Sequence, residues 1–271
     1  MLDELSRMTY ITDLEFMGCN LSENLTSFST FTKLKSLTIS NSSLTRLPEE
    51  ICDLKSLTSL CAYNTQISAL PLNIGNLTNL VSLDFSEENR LSTLPKSITK
   101  LKNLKELFLS MNEFKVFPLE ILELTQLERL DVAWPCVVDV PSDLKKLKLQ
   151  FLAIDLPSNI KCIDEICTLD NITELFISGH ITPETMDKIC TLEKLIRLRI
   201  SNSDLEHIPK KIINLKNLEM LDLSYNQITE IPIEITKLKK LGSFSIFCNS
   251  FKSLPLELAQ MKDRMHMEMN K

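Results

Sequence analysis

Glycine, histidine and aromatic residues are all scarce in this chain. Only four glycines and three histidines occur among 271 residues, and Phe, Trp and Tyr together make up 6% of the sequence. So few glycines exclude a glycine-rich phosphate-binding loop, which needs several close together. No Ser-His-Asp, Cys-His or metal-ligand spacing appears either. We therefore expect a protein that is not an enzyme and that uses neither a cofactor nor a metal ion.

Long apolar runs and a basic, apolar N-terminus are also missing. No run approaches the roughly 20 residues that a membrane-spanning helix needs, and no signal peptide is visible at the start of the chain. Eight cysteines occur without a C-x-x-C pair, which favours thiols in a reducing compartment over a disulfide framework. The net charge of −6 argues against nucleic acid and anionic membranes as partners.

Leucine at regular spacing is what the chain has in abundance. A unit of the form L-x-x-L-x-L-x-x-N-x-I-x-x-I-P-x-x-I-x-x-L begins at Leu218. A fixed period of this length indicates a solenoid, whose units stack because none can bury its apolar edge alone. The chain contains eleven copies of this unit, spaced 23 residues apart except for one step of 24 and one of 22. They begin at Ile11, Leu34, Leu57, Leu80, Leu104, Leu127, Leu149, Ile172, Leu195, Leu218 and Leu241.

Each unit has two halves with different apolar spacing. The alternation around Leu221 and Leu223 predicts a short strand, and units this short leave room only for parallel strands about 4.8 Å apart. Asn226 is expected to turn inward and to satisfy backbone groups in the bend that follows. Apolar residues three apart from Ile231, with Pro232 at the start, predict a 3₁₀ or short irregular helical return segment. The sequence thus predicts an α/β solenoid, an arc with a parallel sheet on its concave face.

One domain over residues 1–271 is expected. Residues 1–10 match the second half of a truncated repeat, which would act as an N-terminal cap, and the repeats cover 11–263. Apolar residues at helical spacing predict a cap helix and a frayed tail over 255–271. Because this end is rich in Met, which adapts to many surfaces, weak homo-oligomer formation through an exposed end is a further possibility.

The repeat resembles the leucine-rich-repeat superfamily over nearly the whole chain. Its L-P-x-x-I-x-x-L half is similar to a 23-residue class found in bacterial proteins, including effectors, and in Ras-suppressor-like scaffolds. The resemblance implies a protein-binding scaffold, either cytoplasmic or delivered into a host cell, although this fold serves many binding tasks. The motifs that carry it are Leu34-x-x-Leu37-x-Ile39, Leu44-x-x-Leu47-Pro48-x-x-Ile51-x-x-Leu54 and their successors.

Binding residues should lie at the variable strand positions, numbered 3, 5, 7 and 8 in each unit, which are expected to face the concave surface. These slots contain nine acids and three arginines, so the face is net acidic, which is the wrong sign for a phosphate backbone. The charged slot residues are Asp13, Glu15, Asp84, Glu87, Glu106, Asp131, Asp155, Glu174, Asp222, Arg129, Arg197 and Arg199.

Aromatic residues occupy slots in four consecutive repeats and predict an apolar patch for a protein partner. Charges on either side would orient that partner. The predicted binding residues are Phe108, Trp134, Phe151, Phe176, Asp84, Asp131, Asp222, Arg197 and Arg199.

Three alternatives stay open. The same repeats depart from the pattern, so the aromatics could instead fill packing gaps, and a slip of one residue would turn Phe151 into the core. The chain could also be the recognition part of a larger effector enzyme or signalling protein. A self-associating structural or surface protein is the third class.

Overall fold

The chain forms two compact units, residues 1–136 and residues 137–271. Each unit is built around an open parallel sheet with one strand per repeat, as the repeat spacing predicts. The structure is a computed structural model, and it describes residues 10–19, 28, 30–87, 89–133, 140–156, 161–251, 258 and 266–268.

Strands of unit 1 pair so that equal repeat positions lie side by side. Leu37 on β2 pairs with Leu14 on β1 and with Leu60 on β3. Leu37 and Leu60 are fully buried, and burying a leucine side chain contributes about 1.5–3 kcal/mol. Stacked leucines therefore hold the register. The strands are β1 Asp13–Met17, β2 Ser36–Ser40, β3 Ser59–Tyr63, β4 Ser82–Asp84, β5 Glu106–Phe108 and β6 Arg129–Val132.

Unit 2 repeats the same arrangement. Leu198 on β9 lies between Leu175 on β8 and Leu221 on β10, and all three are fully buried. The strands are β7 Phe151–Leu156, β8 Glu174–Gly179, β9 Arg197–Ile200, β10 Met220–Asp222, β11 Ser243–Ser245 and β12 His266–Glu268.

Return segments are mostly 3₁₀ helices, which confirms the sequence prediction. Six of the seven that the described residues contain begin directly after a proline in extended conformation. A proline has no N–H to leave unsatisfied at a helix start. The segments are Glu49–Asp53, Ile74–Asn76, Lys96–Lys100 and Leu119–Glu123 in unit 1, and Ser142–Lys146, Lys210–Asn214 and Ile233–Lys237 in unit 2.

Two repeats that lack the L-P pair form short α-helices instead: α1, Lys161–Ile166, and α2, Pro183–Ile189. Thr182 caps α2, because its side-chain oxygen accepts a hydrogen bond of 3.2 Å from the backbone N–H of Thr185. Pro183 follows at the first helical position, which proline favours. The departure from the repeat pattern is thus a change of return element.

The inward asparagine works as expected. Asn226 is buried, and its Nδ2 donates to the carbonyls of Ile200 and Leu223 at 2.7 and 3.0 Å. Its Oδ1 accepts from the N–H groups of Ser203 and Leu205, both at 3.1 Å. One amide therefore joins two neighbouring repeats at the bend.

The C-terminal end differs from the prediction of a frayed tail. His266–Glu268 form β12, which runs parallel to β11 with Met267 opposite Phe244. The leucine pattern does not reveal this strand, because Arg264 and Met267 stand where a repeat has leucines. Leu258, which the sequence places in the cap helix, is helical and buried.

Candidate binding face

The candidate site consists of the side chains at positions 3, 5, 7 and 8 of each repeat, here called the slot face of a unit. On β2, the slot residues Ser36 and Thr38 are partly exposed, whereas Leu37 and Ile39 between them are buried. Pairing places equal slots opposite each other, as with Ser36 and Ser59. The slot side chains therefore form rows across the strands of each sheet.

In unit 1, an aromatic ring lies in one row with two carboxylates. Phe108 on β5 is half-buried and pairs with Asp84 on β4 and with Asp131 on β6. Oδ1 of Asp84 accepts from the N–H and the hydroxyl of Ser86 at 2.9 and 2.6 Å. Oδ1 of Asp131 accepts from the N–H of Ala133 at 3.1 Å. These bonds orient both carboxylates in advance, which lowers the entropy cost of binding.

The corresponding row of unit 2 contains its own cation. The guanidinium carbon of Arg199 lies 4.9 Å from the ring centroid of Phe176, which is half-buried. Nε of Arg199 also donates to Oδ2 of Asp222 at 2.9 Å. A cation held between a ring and a carboxylate gains from both contacts.

Arg197, a predicted orienting charge, is also paired within the slot face. Its Nη1 lies 3.6 Å from Oε2 of Glu174 on the neighbouring strand. An exposed pair of this kind contributes only about 0–1 kcal/mol to stability. The pairing matters for binding, because neighbouring carboxylates already neutralise the charges that Arg197 and Arg199 would present to a partner.

Phe151 offers little surface to a partner. It is 6% exposed, and its ring packs edge to face on Phe176 with a centroid distance of 5.2 Å. Phe151 pairs with Glu174 in the predicted register, so a slipped strand is not the cause of its burial. The ring of Phe151 therefore packs against that of Phe176, and Phe176 is the more accessible of the two. Trp134 lies outside the described residues, and its binding role stays a prediction.

Four exposed apolar slot residues are absent from the predicted patch: Met17, Met111, Tyr225 and Phe247. Tyr225 and Phe247 are 52% and 39% exposed, and their rings meet edge to face at 5.6 Å. Met111 in unit 1 is 64% exposed. All four stand at position 7 or 8 of a repeat, so the slot positions alone would have identified them.

Burial changes the acidity of several groups. It raises the pKa of the half-buried Asp155, which a hydrogen bond from the Ser178 hydroxyl partly offsets. Burial, followed by the charge of Asp84, raises the pKa of the slot thiol Cys61 to about 12. Burial likewise raises the pKa of Cys52 and Cys190 to about 12. These free thiols stay protonated at neutral pH and are poor nucleophiles. Cys136 lies outside the described residues.

Among the residues that the structure describes, no group of three or more His, Cys, Asp or Glu side chains is placed to hold a metal ion. None of the helices there has the length and apolar character needed to cross a bilayer.

Comparisons with known proteins agree with this geometry, that of a solenoid of leucine-spaced repeats with a variable strand face. A family model described as a leucine-rich repeat region matches residues 1–93, and one described as leucine rich repeat matches residues 193–251. A search of curated protein sequences gives no match.

Solved structures of repeat proteins resemble the chain. A leucine-rich-repeat protein of Leptospira interrogans is 27% identical, with a TM-score of 0.61 over 90% of this chain and 74% of that one. An internalin of Listeria monocytogenes is 18% identical, with a TM-score of 0.66 over 100% and 89%. The leucine-rich-repeat ectodomain of a membrane receptor kinase from Arabidopsis thaliana is 19% identical, with a TM-score of 0.65 over 98% and 39%. At these identities, the last two likenesses concern the fold alone.

The chain therefore belongs to the leucine-rich-repeat superfamily. Domains of this superfamily commonly bind other proteins.

Proposed function

We propose that this chain is a non-catalytic scaffold that binds a protein partner through its slot faces. The observation that carries the proposal is the row around Phe108. A partly exposed ring lies between Asp84 and Asp131, and both carboxylates are oriented by bonds to residues two positions further along the chain. An exposed apolar side chain surrounded by oriented hydrogen-bond acceptors is typical of a binding hot spot in protein interfaces.

Unit 2 supports the same function with a different residue set. The ring of Phe176 packs edge to face against Phe151 and is stacked with the guanidinium group of Arg199. The ion pair with Asp222 holds this arginine in place. Side chains that are already ordered lose less entropy on binding. Arg199 with Asp222, and Arg197 with Glu174, form ion pairs without net charge. We propose that these pairs contact the partner through their remaining hydrogen-bonding groups and not as isolated charges.

Complexes of structural relatives support a polypeptide as the partner. The Arabidopsis receptor ectodomain was solved in complex with Casparian strip integrity factor 2. A plant peptide hormone receptor, 22% identical, was solved in complex with RGF2, with a TM-score of 0.61 over 98% of this chain and 48% of that one. These two chains share the fold with the present protein, and the choice of partner depends on the slot residues.

A capture experiment followed by affinity measurement tests the proposal. A partner captured with the wild-type chain is purified, and its binding is compared for Phe108→Ala, Trp134→Ala, Phe176→Ala and Lys210→Ala. Each aromatic variant that removes an anchor should weaken binding by about 2 kcal/mol or more, roughly 30-fold. Lys210 is exposed on a return segment, and its variant should bind like the wild type.

Circular dichroism of each variant separates loss of binding from loss of fold. If Lys210→Ala loses the partner while the aromatic variants keep it, the slot-face proposal is wrong and the lysine-bearing return segments become the site. Two alternative proposals have separate tests. Light scattering after size-exclusion chromatography tests self-association. Sequencing of the gene on both sides tests a larger effector or signalling protein, which would act in the cytoplasm or after delivery into a host cell.

A further inference from the structure

Tyr225 occupies a backbone position that disfavours its side chain. Position 8 of the repeat has a positive φ in both units: 50° to 53° at Asn41, Asn64, Asn202 and Cys248, and 56° to 59° at Tyr225, Met111 and Glu87. Asparagine and glycine adopt this left-handed conformation at little cost, whereas a bulky side chain is strained there. Tyr225 is nevertheless half exposed, so burial in the core does not offset the strain.

The ring of Tyr225 is part of an exposed aromatic pair. It meets Phe247 edge to face at 5.6 Å, and the backbone N–H of Tyr225 donates to the carbonyl of Phe247 at 2.8 Å. Phe247 is also exposed. The pair therefore stands on two neighbouring repeats at a fixed spacing, and together the rings present more apolar surface than a single exposed residue.

Two carboxylates lie at repeat position 5, shortly before repeat positions 7 and 8, which the aromatic pair occupies. Asp222, Ser245 and Glu268 are opposite one another on β10, β11 and β12. The side chain of Glu268 is 63% exposed, and Oε2 accepts from the Ser245 hydroxyl at 3.4 Å. No Lys or Arg occupies a described slot of these three strands, and the one imidazole among these slots is that of His266, whose Nε2 lies 3.3 Å from Oε1 of Glu268. Aromatic faces and carboxylates side by side attract a cation with an apolar stem.

The same unit shows how such a cation sits. Two strands earlier, Arg199 stacks on Phe176 at 4.9 Å and pairs with Asp222 at 2.9 Å. Phe247, two residues after the end of β11, and Glu268 on β12 bring a ring and a carboxylate to neighbouring repeats, and the described slots there supply no arginine of the chain. An arginine or lysine from a partner would complete the arrangement.

We infer that Tyr225, Phe247 and Glu268 form a docking site for an extended basic peptide segment of the partner, with an arginine or lysine next to an apolar residue. This inference rests on the proposed protein-binding function and names the chemistry of one part of the partner.

Fluorescence anisotropy with a defined probe tests the inference. The probe is a labelled peptide made of Ser-Arg-Leu repeats, and its counterpart has glutamate in place of arginine. The wild-type chain should bind the arginine peptide more tightly than the glutamate peptide. Tyr225→Asn, which keeps the net charge, should weaken binding of the arginine peptide at least about ten-fold. Glu268→Gln should weaken it as well.

Met111→Asn is the matched control. Met111 is exposed at the same repeat position in unit 1, with φ 57°. Both asparagine variants relieve the same backbone strain and should unfold at a higher temperature than the wild type. Tyr225→Asn should thus gain stability and lose affinity, whereas Met111→Asn should gain stability and keep affinity.

Three results would overturn the inference: no binding of the arginine peptide, equal binding of the glutamate peptide, or equal weakening by both asparagine variants. If one of these occurs while a captured partner still depends on Phe108, Trp134 or Phe176, only the basic-peptide site is wrong. Protein binding through the slot faces is then retained.

Discussion

At the scale of single residues, an inward asparagine amide closes the bend of four described repeats, at Asn89, Asn112, Asn226 and Asn249. Asn226→Ala would leave the N–H groups of Ser203 and Leu205 and the carbonyl of Ile200 without their buried partner. We expect a loss of about 1–3 kcal/mol in the free energy of unfolding, measured with urea. Asn171 is exposed in the turn before β8, and Asn171→Ala should change little. Equal stability of the two variants would mean that the bend does not depend on this amide.

The half-buried carboxylate of Asp155 makes the stability of unit 2 depend on pH. Burial raises the pKa of Asp155 above its ordinary value of 3.8. The folded state therefore holds the proton more tightly than the unfolded state. The stabilisation is complete below pH 3.8 and is lost as the pH rises through the raised value, where ionisation costs the fold free energy.

Asp155→Asn removes this ionisation and can still hydrogen-bond to Ser178. The variant should melt at a higher temperature than the wild type at neutral pH, and the difference should vanish below pH 3.8. Asp170→Asn, at an exposed turn, controls for the loss of one negative charge. A gain that persists unchanged at low pH would have a cause other than the titration of Asp155.

At the scale of elements, the α2 helix depends on its cap. Thr182 provides an acceptor for the otherwise unpaired N–H of Thr185 at 3.2 Å. Thr182→Ala should cost about 0.5–2 kcal/mol of stability, measured by thermal or chemical unfolding. Thr182→Ser keeps the oxygen and should retain most of the stability. Should serine and alanine be equally destabilising, the methyl packing of Thr182 matters more than the cap.

Repetition explains which elements could be predicted. Leu37, Leu60 and Leu221 recur at one position of a fixed period, so strand, register and burial follow from spacing alone. The return helix α2 could also have been predicted, because Thr182 and Pro183 are a helix-start signal in a repeat that lacks the L-P pair. β12 could not be read in this way, because Arg264 and Met267 obscure the leucine pattern.

The sequence predicted which residues occupy the slot positions, but not which side chains contact each other there. The slot rule places Phe108, Phe176 and Arg199 on the slot faces, where the structure has them. The exposed fraction of a slot side chain depends on the side chains of the neighbouring strand. The burial of Phe151 against Phe176 therefore does not follow from the repeat spacing. The ion pairs were nevertheless readable: residues 174 and 197, like 199 and 222, are one period apart and of opposite charge.

At the scale of the whole molecule, the open question is whether 1–271 unfolds as one domain, as the uninterrupted repeats predict. Repeats coupled to their neighbours unfold together when each interface is strong relative to the stability of one repeat. Leu221 lies in unit 2 and is fully buried, so Leu221→Ala should cost about 2–5 kcal/mol. Trp134 is the only tryptophan of the chain, its number falls in the range 1–136 of unit 1, and its fluorescence supplies a second probe of unfolding.

For a single domain, Leu221→Ala should shift the urea midpoint of Trp134 fluorescence as far as the midpoint of circular dichroism, which follows both units. Leu60→Ala in unit 1, also fully buried, is the reciprocal variant and should move both midpoints as well. Coincident transitions from two probes are the test of two-state behaviour. If Leu221→Ala leaves the fluorescence midpoint in place and splits the dichroism curve, the two compact units unfold independently. The solenoid would then consist of two cooperative blocks, and a partner that stabilises one of them would leave the stability of the other unchanged.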